Sequence, residues 1–216
     1  MTRVAILMPS CGQRALANLA RDAIAAFTTD VAHDVYLLDH DPWKKEEGGA
    51  AHLHALMCLR HCAGYGDYSH VFLMHDDALP IRDGWLQTLL EHRPPAAAIV
   101  SRRSGRGHSA GTLYDWPTFR ALDLRPNLPD YDVAERVPLG WGTLPIAWRG
   151  PGSAAGWEPP EWMRLHACDI ALDAGRPFYV HLGGGTIGTA GAWGNSAAHR
   201  ERIASWVRAA RLGLGL

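Results

Sequence analysis

The stretch Val71-Phe-Leu-Met-His-Asp-Asp77 places an imidazole and two adjacent carboxylates directly after a short apolar run. Two similar apolar runs precede it, at residues 4–8 and 35–38, and each also ends in a polar turn. The segments between these runs carry apolar residues at spacings of three and four, which is typical of amphipathic helices. This alternation predicts βαβ units and a parallel sheet.

The composition is that of an ordinary globular protein. Of 216 residues, 47% are hydrophobic and 20% are charged, which excludes a disordered, collagen-like or coiled-coil chain. A chain of this length buries a sizeable core without disulfides or a structural metal. The formal charge of -1 provides no overall field for nucleic acid or anionic lipid, so such a partner has to be argued from a local patch.

We expect a single domain over residues 1–216, with a nucleotide-binding half (1–100), a second half with an active-site loop (101–195) and a C-terminal helix (196–216). The later pattern predicts helices over 161–174 and 196–211, and strands over 145–148 and 177–181. From 101 to 156 the pattern loosens into Gly, Pro and Trp, and loops this long are usually functional. The glycine-rich run 183–188 favours a mobile active-site loop.

The first apolar run is shorter than the core of a signal peptide. No window approaches the ~18 apolar residues of a membrane span. We therefore expect a cytoplasmic protein without a membrane span.

In an open α/β sheet, ligands bind outside the carboxyl ends of the strands. The three runs end at Ser10, at Asp39 and at Asp76-Asp77, so their polar turns converge on one edge. Adjacent carboxylates after a buried strand resist desolvation unless a cation compensates them. Mn²⁺ or Mg²⁺ bridging diphosphate oxygens would do so with few protein ligands. The alternative is a solvated turn in which one of the two aspartates caps the next helix.

The whole order of these segments carries a resemblance. Four segments of the chain, taken in this order, resemble the nucleotide-sugar half of GT-A glycosyltransferases, especially family 2. They are Val4-Ala-Ile-Leu-Met-Pro-Ser10, Val35-Tyr-Leu-Leu-Asp39, a helix from Gly48-Gly49, and Val71 to Asp77 followed by Pro80. The stretch Trp157-Glu-Pro-Pro-Glu-Trp-Met-Arg-Leu-His-Ala-Cys-Asp169, followed by Gly175-Arg-Pro-Phe-Tyr-Val-His181, resembles their acceptor half.

This resemblance spans most of residues 3–190. It implies an α/β, GT-A-like fold: a Rossmann-type βαβ nucleotide-binding half with a central, mostly parallel sheet, and an irregular acceptor-binding half.

For the donor, the resemblance implies that Pro9 and Ser10 line the nucleotide and that Asp39 hydrogen-bonds its base. His75-Asp76-Asp77 is similar to the DxD motif, with His75 at its first position. Asp76 would then lie near the ribose, and Asp77 would bind the metal.

For the acceptor half, the resemblance implies that Asp169 opens a helix turn as the general base and that His181 is an additional metal ligand. The sequence departs from the family pattern at His75, where an Asp is usual, and at Cys168, where a Glu commonly precedes the base.

The implied function is a metal-dependent glycosyltransferase, of the hexosyl or pentosyl type, that uses a UDP- or GDP-sugar. Asp169 would deprotonate an acceptor hydroxyl and give inversion, while a retaining route stays open. The Gln-x-x-Arg-Trp motif of processive synthases does not occur, so we expect transfer of a single sugar.

The concentrated basic patch contains Arg102, Arg103 and Arg106. It is a solvated loop, a contact for a pyrophosphate, or a contact for the backbone of a nucleic acid acceptor. Some small GT-A enzymes modify hydroxylated bases of phage DNA, which is an analogy for the last alternative. Two other functions stay open. One is a different metal-dependent nucleotide enzyme, a nucleotidyltransferase or a phosphohydrolase. The other is a module that binds a nucleotide or glycan without turnover.

Overall fold

A computed structural model describes residues 2–11, 14–40, 48–92, 97–103, 106–122, 124, 147–149, 160–166, 169–173, 176–182 and 196–216. The strands are β1 (Arg3–Cys11), β2 (Ala32–His40), β3 (His70–Met74), β4 (Ala78–Pro80), β5 (Ala97–Arg103), β6 (Arg106–Asp115), β7 (Ala147–Arg149), β8 (Asp169–Asp173) and β9 (Arg176–His181). The helices are α1 (Arg14–Phe27), α2 (Gly48–Ala63), α3 (Trp85–His92), α4 (Trp116–Ala121), α5 (Glu161–His166) and α6 (Ala197–Leu214).

The predicted mixed α/β fold with a Rossmann-type half is confirmed. The first sheet has the strand order β2-β1-β3-β6-β5. In it, β1 pairs in parallel with β2 and β3, while β3 pairs with β6 and β6 with β5 in antiparallel fashion. The carboxyl ends of β1, β2 and β3 therefore lie at the same edge.

Both faces of this sheet are covered. Alternate residues of β1 enter different core clusters: Val4, Ile6 and Met8 pack with α1 and α3, whereas Ala5 and Leu7 pack with α2. A strand buried on both faces reads as a continuous apolar run because no face is left for solvent. This explains why the run 4–8 contains no polar residue.

A second sheet, which the sequence pattern did not predict, joins one strand of the first half to three strands of the second. Strands β4-β9-β8-β7 form a four-stranded antiparallel sheet. The predicted helix over 161–174 is wrong at residues 169–173, because Asp169–Asp173 pairs with β9 as strand β8. The neighbours Ile170 and Ala171 are both buried, in different core clusters. Hydrogen bonding to β9 and burial on both faces thus prevail over local helical spacing.

The stretch 101–156 is not the long loop that the sequence predicts, because it contains β6 (Arg106–Asp115), which pairs with β3 and β5, and α4 (Trp116–Ala121). The remaining predicted helices and strands agree with the structure within a few residues. The strand expected at 145–148 begins at Ala147, and the last helix extends to Leu214. The glycine-rich run 183–188 and Cys168 lie outside the described residues. Within the described part of the chain, no helix is both long enough and apolar enough to cross a bilayer.

Candidate active site

The turn after β3 is held to the end of β1 by a buried hydrogen bond. Ser10 is 1% exposed and Asp76 is 8% exposed. The Ser10 hydroxyl donates to Oδ2 of Asp76 over 2.8 Å. A buried carboxylate is tolerated when it accepts such hydrogen bonds. Two residues that the sequence associates with the nucleotide are therefore in direct contact.

Asp77 lies within a cluster of two histidines. Its Oδ1 is 3.3 Å from Nε2 of His181 and 3.9 Å from Nδ1 of His75. Each of these three residues offers one possible metal-ligand atom, and these atoms all lie within 4.8 Å of one another. Asp77 and His181 are buried, and the His75 side chain is 16% exposed. The cluster is thus enclosed and opens to solvent mainly at His75.

The second sheet delivers His181 to this cluster. In the register between β4 and β9, Ala78 lies opposite His181. The backbone N–H of Leu182 donates to the carbonyl of Asp77 over 2.8 Å. Because this bond ties the end of β9 to the turn after β3, the imidazole is held beside the carboxylate by backbone geometry.

Two of the three spacings in the cluster suit a divalent cation. Two donors that are each about 2.1 Å from one ion are at most about 4.2 Å apart, and both distances from Asp77 Oδ1 satisfy this limit. Imidazole nitrogens suit transition metals, while carboxylates also suit Mg²⁺ and Mn²⁺. His75, Asp77 and His181 are therefore the residues that would hold an ion, and we call them the metal-ligating cluster.

A buried phenol lies close to the cluster. Tyr179 is fully buried and stacks on Trp85, with ring centroids 5.7 Å apart. Burial, and then the negative charge of Asp77, raise the pKa of Tyr179 well above its ordinary value. The site thus keeps a neutral aromatic ring beneath its carboxylate.

Asp39 takes part in an ion pair that the sequence did not predict. The register of β1 and β2 places it opposite Ser10, and its Oδ2 accepts from Nε of Arg14 over 3.3 Å. Arg14 is the first residue of α1, and its side chain is 88% exposed. Its position at the start of α1, shortly after β1, was the available signal in the sequence. The guanidinium group of Arg14 therefore lies at the carboxyl edge of the sheet, beside Asp39.

The structure brings the remaining candidates to the same region by register. Asp169 begins β8 and lies opposite His181 on β9, instead of opening a helix turn as expected. Pro9 is buried within β1, one residue before Ser10. His75, which the sequence placed with the nucleotide, joins the metal-ligating cluster.

The basic patch forms part of the β5–β6 hairpin. Arg103 pairs with Arg106, and Arg102 with Gly107. Strand β6 pairs with β3 only over residues 111–115, and Gly111 lies opposite Met74, the last residue of β3. The hairpin therefore continues beyond the end of β3 that carries His75 to Asp77.

Comparison with known proteins gives structural similarity only. No family model matches the sequence, and no curated protein matches it. Among solved structures, the chain is similar to a mutant Drosophila β1,4-galactosyltransferase 7 in complex with manganese, UDP-Gal and xylobiose, at 14% identity and a TM-score of 0.38. It is also similar to the galactosyltransferase LgtC in complex with donor and acceptor sugar analogues, at 13% identity and a TM-score of 0.39.

These matches are partial. The first covers 56% of this chain and 51% of the galactosyltransferase, so the chain spans about half the length of that protein. The second covers 61% of this chain and 69% of LgtC. Any statement about activity has to stand on the residues of this chain.

Proposed function

We propose that this protein is a metal-dependent GT-A glycosyltransferase that transfers a single sugar from a nucleoside diphosphate sugar to an acceptor hydroxyl. The observation that carries the proposal is the His75–Asp77–His181 cluster, next to the Ser10–Asp76 hydrogen bond at the carboxyl edge of β1 and β3. That edge is where open α/β sheets bind nucleotides. The quoted motifs, read as a resemblance, point to the same class.

When bound, Mn²⁺ or Mg²⁺ would stabilise the negative charge that develops on the leaving diphosphate. In the proposal, His75, Asp77 and His181 hold the ion. Ser10 keeps the Asp76 carboxylate in place, 2.8 Å from its own hydroxyl, where it can accept from a ribose hydroxyl. Pro9 and Asp39 complete the nucleotide-binding edge, and Asp39 accepts from the base of a UDP- or GDP-sugar.

Asp169 is the proposed general base. Its position opposite His181 supports this role, because residues opposite each other in an antiparallel pair have α-carbons only about 4.5–5.5 Å apart. The base would take the proton of the acceptor hydroxyl as that oxygen attacks the anomeric carbon from the face opposite the diphosphate. Such a displacement inverts the anomeric configuration.

For the acceptor, we propose a phosphate-bearing molecule recognised by the β5–β6 hairpin. Three arginines, Arg102, Arg103 and Arg106, occur on a hairpin that continues past the carboxyl end of β3. Arginine binds phosphate in a bidentate manner, so a nucleic acid fits this charge. Replacing all three by Ala should weaken binding of a hydroxylated oligonucleotide while sparing donor binding.

The decisive experiment measures donor binding by calorimetry on the full chain. UDP- and GDP-sugars are titrated with Mn²⁺, with Mg²⁺ and with EDTA, in the wild type and in Asp77→Asn. We expect binding that requires both one nucleotide and the metal, and that Asp77→Asn abolishes. Asp67→Asn is the control, because Asp67 is an exposed carboxylate in the loop before β3 and its loss should change nothing.

Product analysis separates the proposal from its rivals. Transfer of the sugar with release of nucleoside diphosphate supports a glycosyltransferase. Release of nucleoside monophosphate or transfer of a nucleotidyl group identifies the alternative metal-dependent enzyme. Metal-dependent binding without consumption of the donor, across a panel of glycan and nucleic acid acceptors, identifies a binding module.

A further inference from the structure

A cavity lies at the end of the first sheet opposite the candidate active site. It has a volume of about 400 Å³ and is lined by six residues at the end of α2 and in α4: Arg60, His61, Gly64, Tyr65, Trp116 and Arg120. We call it the Arg60–Arg120 pocket. The N–H of Trp116 donates to the carbonyl of Ser69, just before β3, whereas His75 follows the last residue of β3. At about 3.3 Å per residue, the five residues of β3 separate the pocket from the metal-ligating cluster by roughly 16 Å.

The pocket is cationic. Arg60 is held at the wall because its Nη1 donates to the carbonyl of Leu122 over 2.8 Å. Arg120 lies on α4 and is exposed. Among the described residues, no carboxylate forms an ion pair with Arg120. The nearby Asp115 is engaged otherwise, because both its oxygens accept from Thr118, over 2.7 and 2.9 Å.

The pocket also presents aromatic surface. Tyr65 is 82% exposed, so its ring is accessible to a ligand in the pocket, and a tyrosine ring offers an apolar face together with a polar hydroxyl. Its hydroxyl lies 3.2 Å from Nε2 of His61, which orients the ring. Trp116 is half-buried and fixed by stacking on Phe119, with centroids 6.1 Å apart. Two orientated rings therefore flank two guanidinium groups.

We propose that the Arg60–Arg120 pocket binds a phosphate group carried on a planar or sugar ring, as in a nucleoside monophosphate. The guanidinium groups of Arg60 and Arg120 bind the phosphate, and Tyr65 or Trp116 stacks on the ring. Cavities of 300–1,000 Å³ accommodate ligands of this size. The pocket is separate from the proposed donor site, so the inference does not depend on the proposed glycosyl transfer.

The test is calorimetry on the full chain in EDTA, which removes the metal that the proposed donor site requires. The probes are uridine 5′-monophosphate, uridine, inorganic phosphate and a short single-stranded oligonucleotide. We expect the monophosphate to bind and uridine to fail. Arg120→Ala should weaken binding about tenfold or more, because a charge-assisted hydrogen bond is lost, and Tyr65→Ala should weaken it as well.

Two variants make the result specific. Arg21→Ala removes the same charge from an exposed position on α1 and should leave binding unchanged. Asp77→Asn alters the metal-ligating cluster and should also leave it unchanged. If Asp77→Asn abolishes binding while Arg120→Ala preserves it, the monophosphate occupies the carboxyl edge and the inference is wrong.

The probes also distinguish the source of the phosphate. An oligonucleotide that binds more tightly than the monophosphate, and that Arg120→Ala weakens, identifies a nucleic acid. Tighter binding of the monophosphate identifies a free nucleotide. No binding of any phosphate-bearing probe at millimolar concentration overturns the inference, and Arg60 and His61 then serve only the C-terminal end of α2.

Discussion

At the scale of single residues, the site depends on short polar contacts in a buried setting. The carboxylate of Asp76 accepts a hydrogen bond from the Ser10 hydroxyl of β1. The carboxylate of Asp77 lies beside the imidazole of His181, the last residue of β9. Water is largely excluded here, so each charge depends on its protein neighbours and on any bound cation. The chemistry of this edge therefore responds strongly to single substitutions.

Asp169→Asn tests the proposed base. The amide keeps the size of the side chain but cannot take a proton, so we expect normal donor binding and a rate of sugar transfer lowered about 100-fold or more. Single-turnover transfer assays, with calorimetry for the donor, measure the two effects separately. Asp173→Asn, at the far end of the same strand, should retain the rate. An equal loss in both variants would assign the effect to β8 as a structural element.

Tyr179 should make the free energy of unfolding depend on pH in the alkaline range. Burial and Asp77 raise the pKa of this phenol above its ordinary value of 10.0, so the folded chain keeps a proton that the unfolded chain releases. The stabilisation is complete below pH ~10 and is lost as the pH rises above that value. We expect the free energy of unfolding to fall above pH 10, and to fall less steeply in Tyr179→Phe.

Urea denaturation at pH 8, 9, 10 and 11 measures this dependence. Phe178→Leu is the control, because it alters a neighbouring buried ring without removing a titratable group. It should lower stability by the same amount at every pH. A Tyr179→Phe slope equal to that of the wild type would contradict the assignment.

At the scale of elements, α6 is positioned by contact with α5. Gly213 faces the indole of Trp162, and a β-carbon at Gly213 would overlap this ring. Trp162 in turn meets Trp206 edge to face, with centroids 6.1 Å apart. The two helices thus approach closely because Gly213 has no side chain.

Gly213→Ala should therefore force Trp162 to move and destabilise the protein by about 1–3 kcal/mol, as overpacking does. Urea denaturation measures this loss. Leu212→Ala, at a neighbouring side chain that is 87% exposed, should change stability far less. Combining Gly213→Ala with Trp162→Leu should restore part of the loss, and strict additivity of the two changes would argue against the contact.

At the scale of the whole molecule, the two sheets share one core. Phe72 and Met74 of the first sheet pack in the same cluster as Phe178 and Tyr179 of the second. The metal-ligating cluster spans the same junction, because His75 and Asp77 follow β3 whereas His181 ends β9. A bound ion would therefore connect the sheets.

Binding of Mn²⁺ should accordingly stabilise the whole chain. At about 100 times its dissociation constant, the ion should contribute roughly 2.7 kcal/mol, which raises the melting temperature by several degrees. Hydrogen exchange should slow in both β3 and β9. His181→Ala should remove both effects. Slower exchange confined to β3 would mean that the ion does not connect the two sheets.

Local pattern predicted the first half of this protein well. The apolar runs before Ser10, Asp39 and His75 became β1, β2 and β3. In β1 and β3 the run is continuous because the strands are buried on both faces, whereas β2 is an edge strand that is only partly buried. The polar turns at their ends converge because parallel strands share an edge. The spacing of apolar residues likewise predicted α1, with Leu16, Leu19 and Ile24 buried.

Only part of the second half could be predicted in this way, namely the strands β7 and β9. Whether residues 169–173 form a helix or a strand depends on β9, which lies beside them only after the chain has folded. Sequence by itself determined the alternating strands and helices and the polar ends of β1, β2 and β3, because periodicity and turn chemistry act between near neighbours. Tertiary structure alone decided that His75 and His181 meet at Asp77, because the pairing of β4 with β9, which are far apart in the sequence, sets that position. Asp169 lies opposite His181 through the register of the consecutive strands β8 and β9, which the spacing of apolar residues did not indicate.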